Sequence, residues 1–191
     1  MTPLSRRDFL HRSAALTALA TLPTALPADN RPLKFKLGLV SYQVSSTWDL
    51  PTTLKVCKAA GIAAVECRTT HKHGVEPSLS TDERKKVKSL FQDSGVLFWG
   101  CGSVCEFHDS DPAKVNKQID DCKAFVNLVT DLGGKGLKVR PNGLPKTGEV
   151  ARTLAQLGKA LIECGKCAAD PAAEICVAVH GAGTQEPAHM Q

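Results

Sequence analysis

A chain of 191 residues with 42% hydrophobic content is long enough for one domain with a sizeable buried core, which argues against intrinsic disorder. Its 24 Lys plus Arg against 19 Asp plus Glu give a formal net charge of +5, an excess spread along the chain rather than gathered into a tail. That balance tolerates anionic ligands but lacks the basic clustering of a nucleic-acid binder, so no nucleic-acid partner is expected.

The chain opens with SRRDFLHRSAALTALATLPTALPA, residues 5–28. Paired Arg6 and Arg7, then Phe9-Leu10, an apolar Ala/Leu run and small residues before Asp29 resemble a twin-arginine export signal, with His11 where a Lys is usual. A short amphipathic helix of the mature fold is the competing reading, but Pro23 and Pro27 would break it and no polar face recurs. The stretch between Arg12 and Asp29 is also too short for the ~20 apolar residues of a membrane span. The expected organisation is therefore an export signal over 1–28 and a folded domain over 29–191, periplasmic or otherwise extracytoplasmic. Cleavage near Ala28 removes Arg6, Arg7, Arg12 and Asp8 and leaves a net charge of +3.

Export points to an oxidising compartment, and the Cys count of 8 is even. Cys57, Cys67, Cys101, Cys122, Cys164 and Cys176 nonetheless fall inside expected helices and strands, where a buried thiol acts as a small hydrophobe. Cys164-x-x-Cys167 is a lone pair with no partner pair at zinc-finger spacing, so metal or redox chemistry there is the lesser reading.

From Leu37 onward, strand and helix patterns alternate. LGLVSYQV, Leu37 to Val44, reads as a strand, and Leu50 to Gly61 as a helix closed by Gly61. Ile62 to Arg68 is the second strand; the helix after it opens at Ser80, with Glu83 at capping-box spacing, and ends at Gly95. Val96 to Gly102 is the third strand, and Asp111-Pro112 starts a long helix through Leu132, stopped by Gly133-Gly134. Gly136 to Pro141 is the fourth strand, Glu149 to Ala169 a helix, and EICVAVHG, Glu174 to Gly181, the fifth strand. Strands apolar on both faces that alternate with helices predict a parallel sheet of right-handed β-α-β units.

Two architectures fit that order, an open doubly wound sheet and a TIM barrel. Neither G-x-G-x-x-G after the first strand nor G-x-x-x-x-G-K-[ST] anywhere supports a nucleotide fold. Polar residues instead gather at the C-terminal end of every strand, where a barrel keeps its chemistry. The phrases GIAAVECRTTHKHGVEP, WGCGSVCEFH, GLKVRPNGLP and EICVAVHGAGTQ resemble the sugar phosphate isomerase/epimerase family of xylose-isomerase-like TIM barrels, which shares its fold with endonuclease IV.

That resemblance implies a divalent cation (Mg, Mn or Zn) held by carboxylates and His on strands five to eight, and carboxylates that shuttle a proton beside a sugar carbonyl or hydroxyl. The sequence departs from the pattern twice. Ala178 stands where members place a Glu two residues before His180, and strands six to eight have no counterpart within 191 residues. The expected fold is thus an α/β, (β/α) TIM-barrel type, incomplete at about five β-α units with parallel strands. A truncated product, a homo-oligomer or a completing chain are the expected ways of covering its open edge.

Glu66, a carboxylate closing an apolar strand, and His180 are the catalytic candidates, with a salt bridge of Glu66 to Arg68 or Lys138 as the alternative. Lys138 and Arg140 alternate about Val139 and would either hold a phosphate or carboxylate or form an ion-pair layer; Asn142 adds an amide at the same mouth. Glu106 and His108 follow strand three, where endonuclease IV relatives keep a metal His, and are the metal candidates in this chain. Trp48 is the residue expected to stack on a sugar ring, Trp99 is assigned to the core, and His71 and His73 read as a solvated loop or a metal pair. The function so implied is metal-assisted proton transfer on a small-molecule sugar or sugar phosphate. The alternative is a carbohydrate-binding or partner-dependent protein without catalysis.

Overall fold

The structure, a computed structural model, describes residues 35–145, 149–179, 181 and 183–189. The export-signal stretch 1–28 and His180 lie outside the described residues. Five strands, β1 (Gly38–Val40), β2 (Ala64–Arg68), β3 (Leu97–Gly102), β4 (Gly136–Val139) and β5 (Glu174–Val177), alternate with four helices, α1 (Leu50–Ala59), α2 (Thr81–Ser94), α3 (Pro112–Leu132) and α4 (Val150–Ala169). A short 3-10 turn, Pro187–His189, follows β5.

The helix boundaries have local causes. Asp49 accepts from the Thr52 N–H at 2.9 Å ahead of α1, and Asp111 accepts from Ala113 at 2.9 Å ahead of α3; each helix has a Pro in its first turn, where no donor is lost. Ser80 and Glu83 form a complete capping box on α2. Gly95 and Gly133 close α2 and α3 with φ of 73° and 76°, a left-handed conformation open to glycine at no steric cost. The α4 start differs, since Glu149 makes no side-chain cap bond.

All five strands are parallel and neighbours in chain order, β1-β2-β3-β4-β5. A doubly wound sheet reverses its strand order at a switch point, whereas a barrel adds each new strand on the same side. The unbroken order therefore decides between the two architectures: this is an α/β chain of the (β/α) barrel type, with five parallel strands and the helices between them. The core lies between the sheet's outer face and the helices. Val65, Cys67, Phe98, Cys101, Leu137 and Val139 point outward from the strands onto Cys57, Phe91, Cys122, Phe125, Val129 and Cys164 of the helices. Phe91 of α2 and Phe98 of β3 meet with ring centroids 5.1 Å apart.

The strands are shorter than the apolar runs imply. Expected from Leu37 to Val44, β1 spans only Gly38–Val40, because the chain turns at Ser41: the Tyr42 N–H bonds back to the Val40 carbonyl and the Ser45 N–H to the Tyr42 carbonyl. The Ser41 hydroxyl takes over the next rung of the ladder by accepting from the Arg68 N–H at 2.8 Å. Likewise β5 ends at Val177 rather than Gly181. Gly61 is not the cap of α1 but follows the cap Ala60, with φ of 70°.

Candidate functional site

Parallel strands present their C-terminal ends at one rim, and there the inward-facing residues of β2, β3 and β4 converge. Lys138 on β4 donates to the Glu66 carboxylate on β2 across the intervening β3. The strand between them supplies Gly102: a Cβ at that position would sit 2.5 Å from Glu66 Oε1 and 3.3 Å from Lys138 Cε. A glycine is thus what leaves room for the pair. The Glu66 side chain is only 13% exposed and Lys138 28%, so the pair is shielded without being sealed. Of the two partners open to Glu66 by sequence, Lys138 takes the bond. Arg68 instead lies over the Tyr42 ring, 4.2 Å from its centroid, a cation–π contact.

Glu66 lines a cavity of about 640 Å³ with Leu37, Val40, Leu97 and Trp99. The sequence pattern places Trp99 in the core, whereas it faces inward, close against Gly136. The strand alternation carried the signal: Phe98 points at the helices, so Trp99 has to point the other way. Trp48 sits half-buried before α1, its backbone N–H bonded to the Ser45 carbonyl at 3.0 Å. It does not line the cavity that holds Glu66.

A second polar group forms where the loops after β3 and β4 meet. Glu106 Oε1 accepts from Asn142 Nδ2 at 3.1 Å and lies 3.5 Å from an Arg140 guanidinium nitrogen, while Glu106 Oε2 is 3.9 Å from His108 Nδ1, beyond hydrogen-bond reach. Arg140 and Lys138 are therefore each matched by a carboxylate, in the ion-pair arrangement rather than as free cations. The loop is held from two helices: Gln118 Oε1 accepts from the Glu106 N–H at 3.2 Å, and Gln156 Nε2 donates to the Phe107 and Asp109 carbonyls at 2.7 and 2.9 Å. Phe107, fully buried between Glu106 and His108, is kept at φ 59°, a conformation that persists only where its surroundings over-determine it. Gly143 closes against the His108 ring, and a Cβ there would lie 2.6 Å from Nε2. Three buried polar atoms of this group, His108 Nδ1, Arg140 Nε and Asn142 Oδ1, have no hydrogen-bond partner among the described residues. Each such atom costs about 1–3 kcal/mol, so three in one group call for a reason.

The H-K-H loop corrects its sequence reading. His73 is 7% exposed, not solvated, and both ring nitrogens are engaged. Nδ1 accepts from the Val75 N–H at 3.0 Å, which places the proton on Nε2, within 2.9 Å of the Arg68 carbonyl and 3.0 Å of Ser41 Oγ. Burial pushes the His73 pKa down from 6.5 to about 4. With Nε2 a donor, His73 cannot serve Ser41 as a base, and neither nitrogen is open to a metal; the residue ties the ends of β1 and β2 together. His71 bonds through Nδ1 to the Ser41 carbonyl and stacks on Tyr42.

For the implied divalent metal, the donor set is the test. Glu66 is taken by Lys138, and Glu106 receives an amide N–H and faces a guanidinium, groups that repel a cation at the same oxygens. Among the described residues no group of three or more His, Cys, Asp or Glu is arranged to hold a metal. Glu106 and His108 as they stand do not fit one. All eight cysteines are free thiols, six of them buried, and burial pushes the Cys67 and Cys101 thiols well up.

No protein-family model matches the chain, and no curated protein does. Solved structures share the fold. A D-psicose 3-epimerase determined in the presence of D-fructose superimposes with a TM-score of 0.62 at 14% identity, over 75% of this chain and 52% of that one. The IolI protein with a bound zinc atom gives 0.62 at 19% identity, over 75% and 51%. A D-allulose 3-epimerase from Methylomonas sp. in complex with D-allulose gives 0.61 at 17%, over 78% and 52%. At such identities the likeness is one of fold, and this chain spans about half the length of the structures it matches.

Proposed function

We propose that this chain carries the polar strand ends of a sugar isomerase or epimerase, acting on a hydroxy-carbonyl sugar. The observation that carries the reading is the Glu66–Lys138 pair seated over Gly102 at the C-terminal rim of barrel-type strands, beside Trp99. Removing a proton from carbon next to a carbonyl needs a carboxylate within ~3 Å of that proton and positive charge near the enediolate oxygen that forms. Glu66 supplies the first, and Lys138 both orients it and supplies the second. The apolar wall of Trp99 offers a face for the C–H side of a sugar. Fold likeness to epimerase structures determined in the presence of D-fructose and in complex with D-allulose supports the substrate class. In the metal-assisted form of this chemistry a divalent ion would polarise the carbonyl, with ligands other than Glu66 and Glu106. The twin-arginine pattern at Arg6 and Arg7 supports export, which fractionation of cells carrying Arg6→Lys with Arg7→Lys tests by retention of the protein in the cytoplasm.

The direct test is exchange of substrate carbon-bound hydrogen in deuterated water, with D-fructose as substrate. Deuterium uptake that drops at least ~100-fold in Glu66→Gln supports the assignment; uptake equal in the two proteins removes Glu66 from it. A second reading, sugar binding without turnover, is favoured by the pairing of both site carboxylates with cations. Saturable binding of D-fructose with no deuterium uptake would establish that reading.

A further inference from the structure

We infer that Cys105 is an oxidisable thiol, reached by hydrogen peroxide through the cavity it lines, and that Cys122 resolves it by closing a Cys105–Cys122 disulfide. The inference does not depend on the sugar reading above. Its basis is a cluster of three thiols from three elements: Cys105 in the loop after β3, Cys122 on α3 and Cys164 on α4. All three are free and buried, at 2%, 0% and 0% exposed. The Cys122 thiol is in hydrogen-bond contact with Cys105 and with Cys164. The loop is held so that the first of these contacts persists. Gln118 Oε1 accepts from the Glu106 N–H at 3.2 Å, which fastens the residue after Cys105 to α3 one helical turn from Cys122, on the same face.

What sets Cys105 apart is access. It lines a cavity of about 580 Å³ with Val104, Lys114, Lys117, Gln118 and Phe125, whereas Cys122 and Cys164 do not line it. A sulfur so little exposed at a cavity wall admits an oxidant about the size of water and excludes bulky thiol reagents. The Cys122 contact also holds the Cys105 thiol below its ordinary range, against the opposing effect of burial, and holds Cys122 above it, so Cys105 is the one to ionise and attack. Cys67 and Cys101 give the contrast. They face each other across β2 and β3, yet they line no part of this cavity, and burial keeps both thiols protonated. The chemistry balances in two steps. The Cys105 thiolate attacks one peroxide oxygen, breaks the O–O bond, releases hydroxide and becomes a sulfenic acid; the Cys122 thiol then attacks that sulfur, forms the S–S bond and expels water. Two thiols are oxidised and one peroxide is reduced to two waters. The disulfide joins the loop that carries Glu106 and His108 to the middle of α3.

The test treats the reduced full chain with a small molar excess of hydrogen peroxide under native conditions, blocks the remaining thiols with iodoacetamide after unfolding, and maps the tryptic peptides. Cys105, Cys122 and Cys164 fall in separate peptides, 89–114, 118–123 and 160–166. The expected product is 89–114 joined to 118–123 with the loss of two hydrogens, released by dithiothreitol and formed at least ~tenfold faster than any oxidation of Cys67. Cys101 shares the first peptide with Cys105. Fragmentation of the linked pair from the unsubstituted protein places the bond at one or the other, so the result stands even where a buried variant unfolds. Cys105→Ser should abolish the link, and in Cys122→Ala the link should be lost while Cys105 advances to the sulfinic acid. The inference is overturned by 118–123 joined to 160–166 as the main product, by a bond placed at Cys101, by thiols that all stay reduced, or by oxidation that begins only in denaturant.

Discussion

His73 holds three backbone or hydroxyl partners with one neutral ring, and that neutrality sets a pH dependence. Its pKa falls from 6.5 to about 4 on folding, so between those values the unfolded chain binds a proton that the folded one refuses. The stabilisation is complete above pH 6.5 and disappears as pH falls through about 4, a swing of about 3 kcal/mol. Denaturant melts of the native protein and of His73→Gln at steps from pH 7.5 to 4.5 should show the gap between them narrowing on acidification. A constant gap would mean that the ring is not held neutral. At Gly102 the expected outcome is different in kind. The Cβ of Gly102→Ala meets the free end of Glu66, which can rotate away, so stability should change by no more than about 1 kcal/mol. The Glu66–Lys138 bond should nonetheless be lost, with a fall in substrate hydrogen exchange close to that of Glu66→Gln. A Gly102→Ala protein with native exchange would show that the pair's geometry is unimportant.

The elements differ in how their ends are fixed, and substitutions should separate them. Ser80→Ala removes one half of the capping box on α2 and should cost about 1 kcal/mol with ligand binding untouched, since α2 lies on the outer face. Gly100→Ala should be far worse in a protein of the same hydrophobicity, because the new Cβ would overlap the Gly136 carbonyl of the neighbouring strand and neither backbone can move alone. A loss of about 1–3 kcal/mol or more in a denaturant melt is expected; a smaller one would mean that β3 and β4 can part. Helix limits were legible in sequence because Ser80, Glu83, Gly95, Pro112 and Gly133 act through their own turns. Strand limits were not. The residues Tyr42 to Val44 look like strand, and what ends β1 is the Ser41 hydroxyl caught by Arg68, a partner 27 residues away. The same distance hid the role of His73, whose neighbours Ser41 and Val75 are brought together only by the fold.

At the scale of the whole molecule, sequence narrowed the architecture to two, and the strand order settled it; the rim of polar strand ends was legible because it follows from the direction of parallel strands. Who pairs with whom on that rim was not, since Lys138–Glu66 and Arg140–Glu106 each join residues more than 30 positions apart, and charge alone allows several matches. Sheet order has a further consequence. The outer face of the five strands is covered by helices, while β1 and β5 have no strand on their far sides among the described residues and the inner face is only partly covered. Val40 and Leu97 are 42% and 49% exposed along that inner side, and Leu37, just ahead of β1, is 60% exposed. These residues and Trp99 share the cavity with Glu66, so the apolar surface is contiguous rather than scattered, the condition under which exposed apolar area acts as a sticky patch. The protein should bind a hydrophobic dye such as anilinonaphthalene sulfonate in its native state, and Leu97→Lys should reduce that fluorescence. Because Leu97 is half exposed already, the substitution should change stability by no more than about 0.5 kcal/mol. Dye fluorescence unaltered by Leu97→Lys, or a Leu97→Lys protein that unfolds, would show instead that Leu97 is covered in solution.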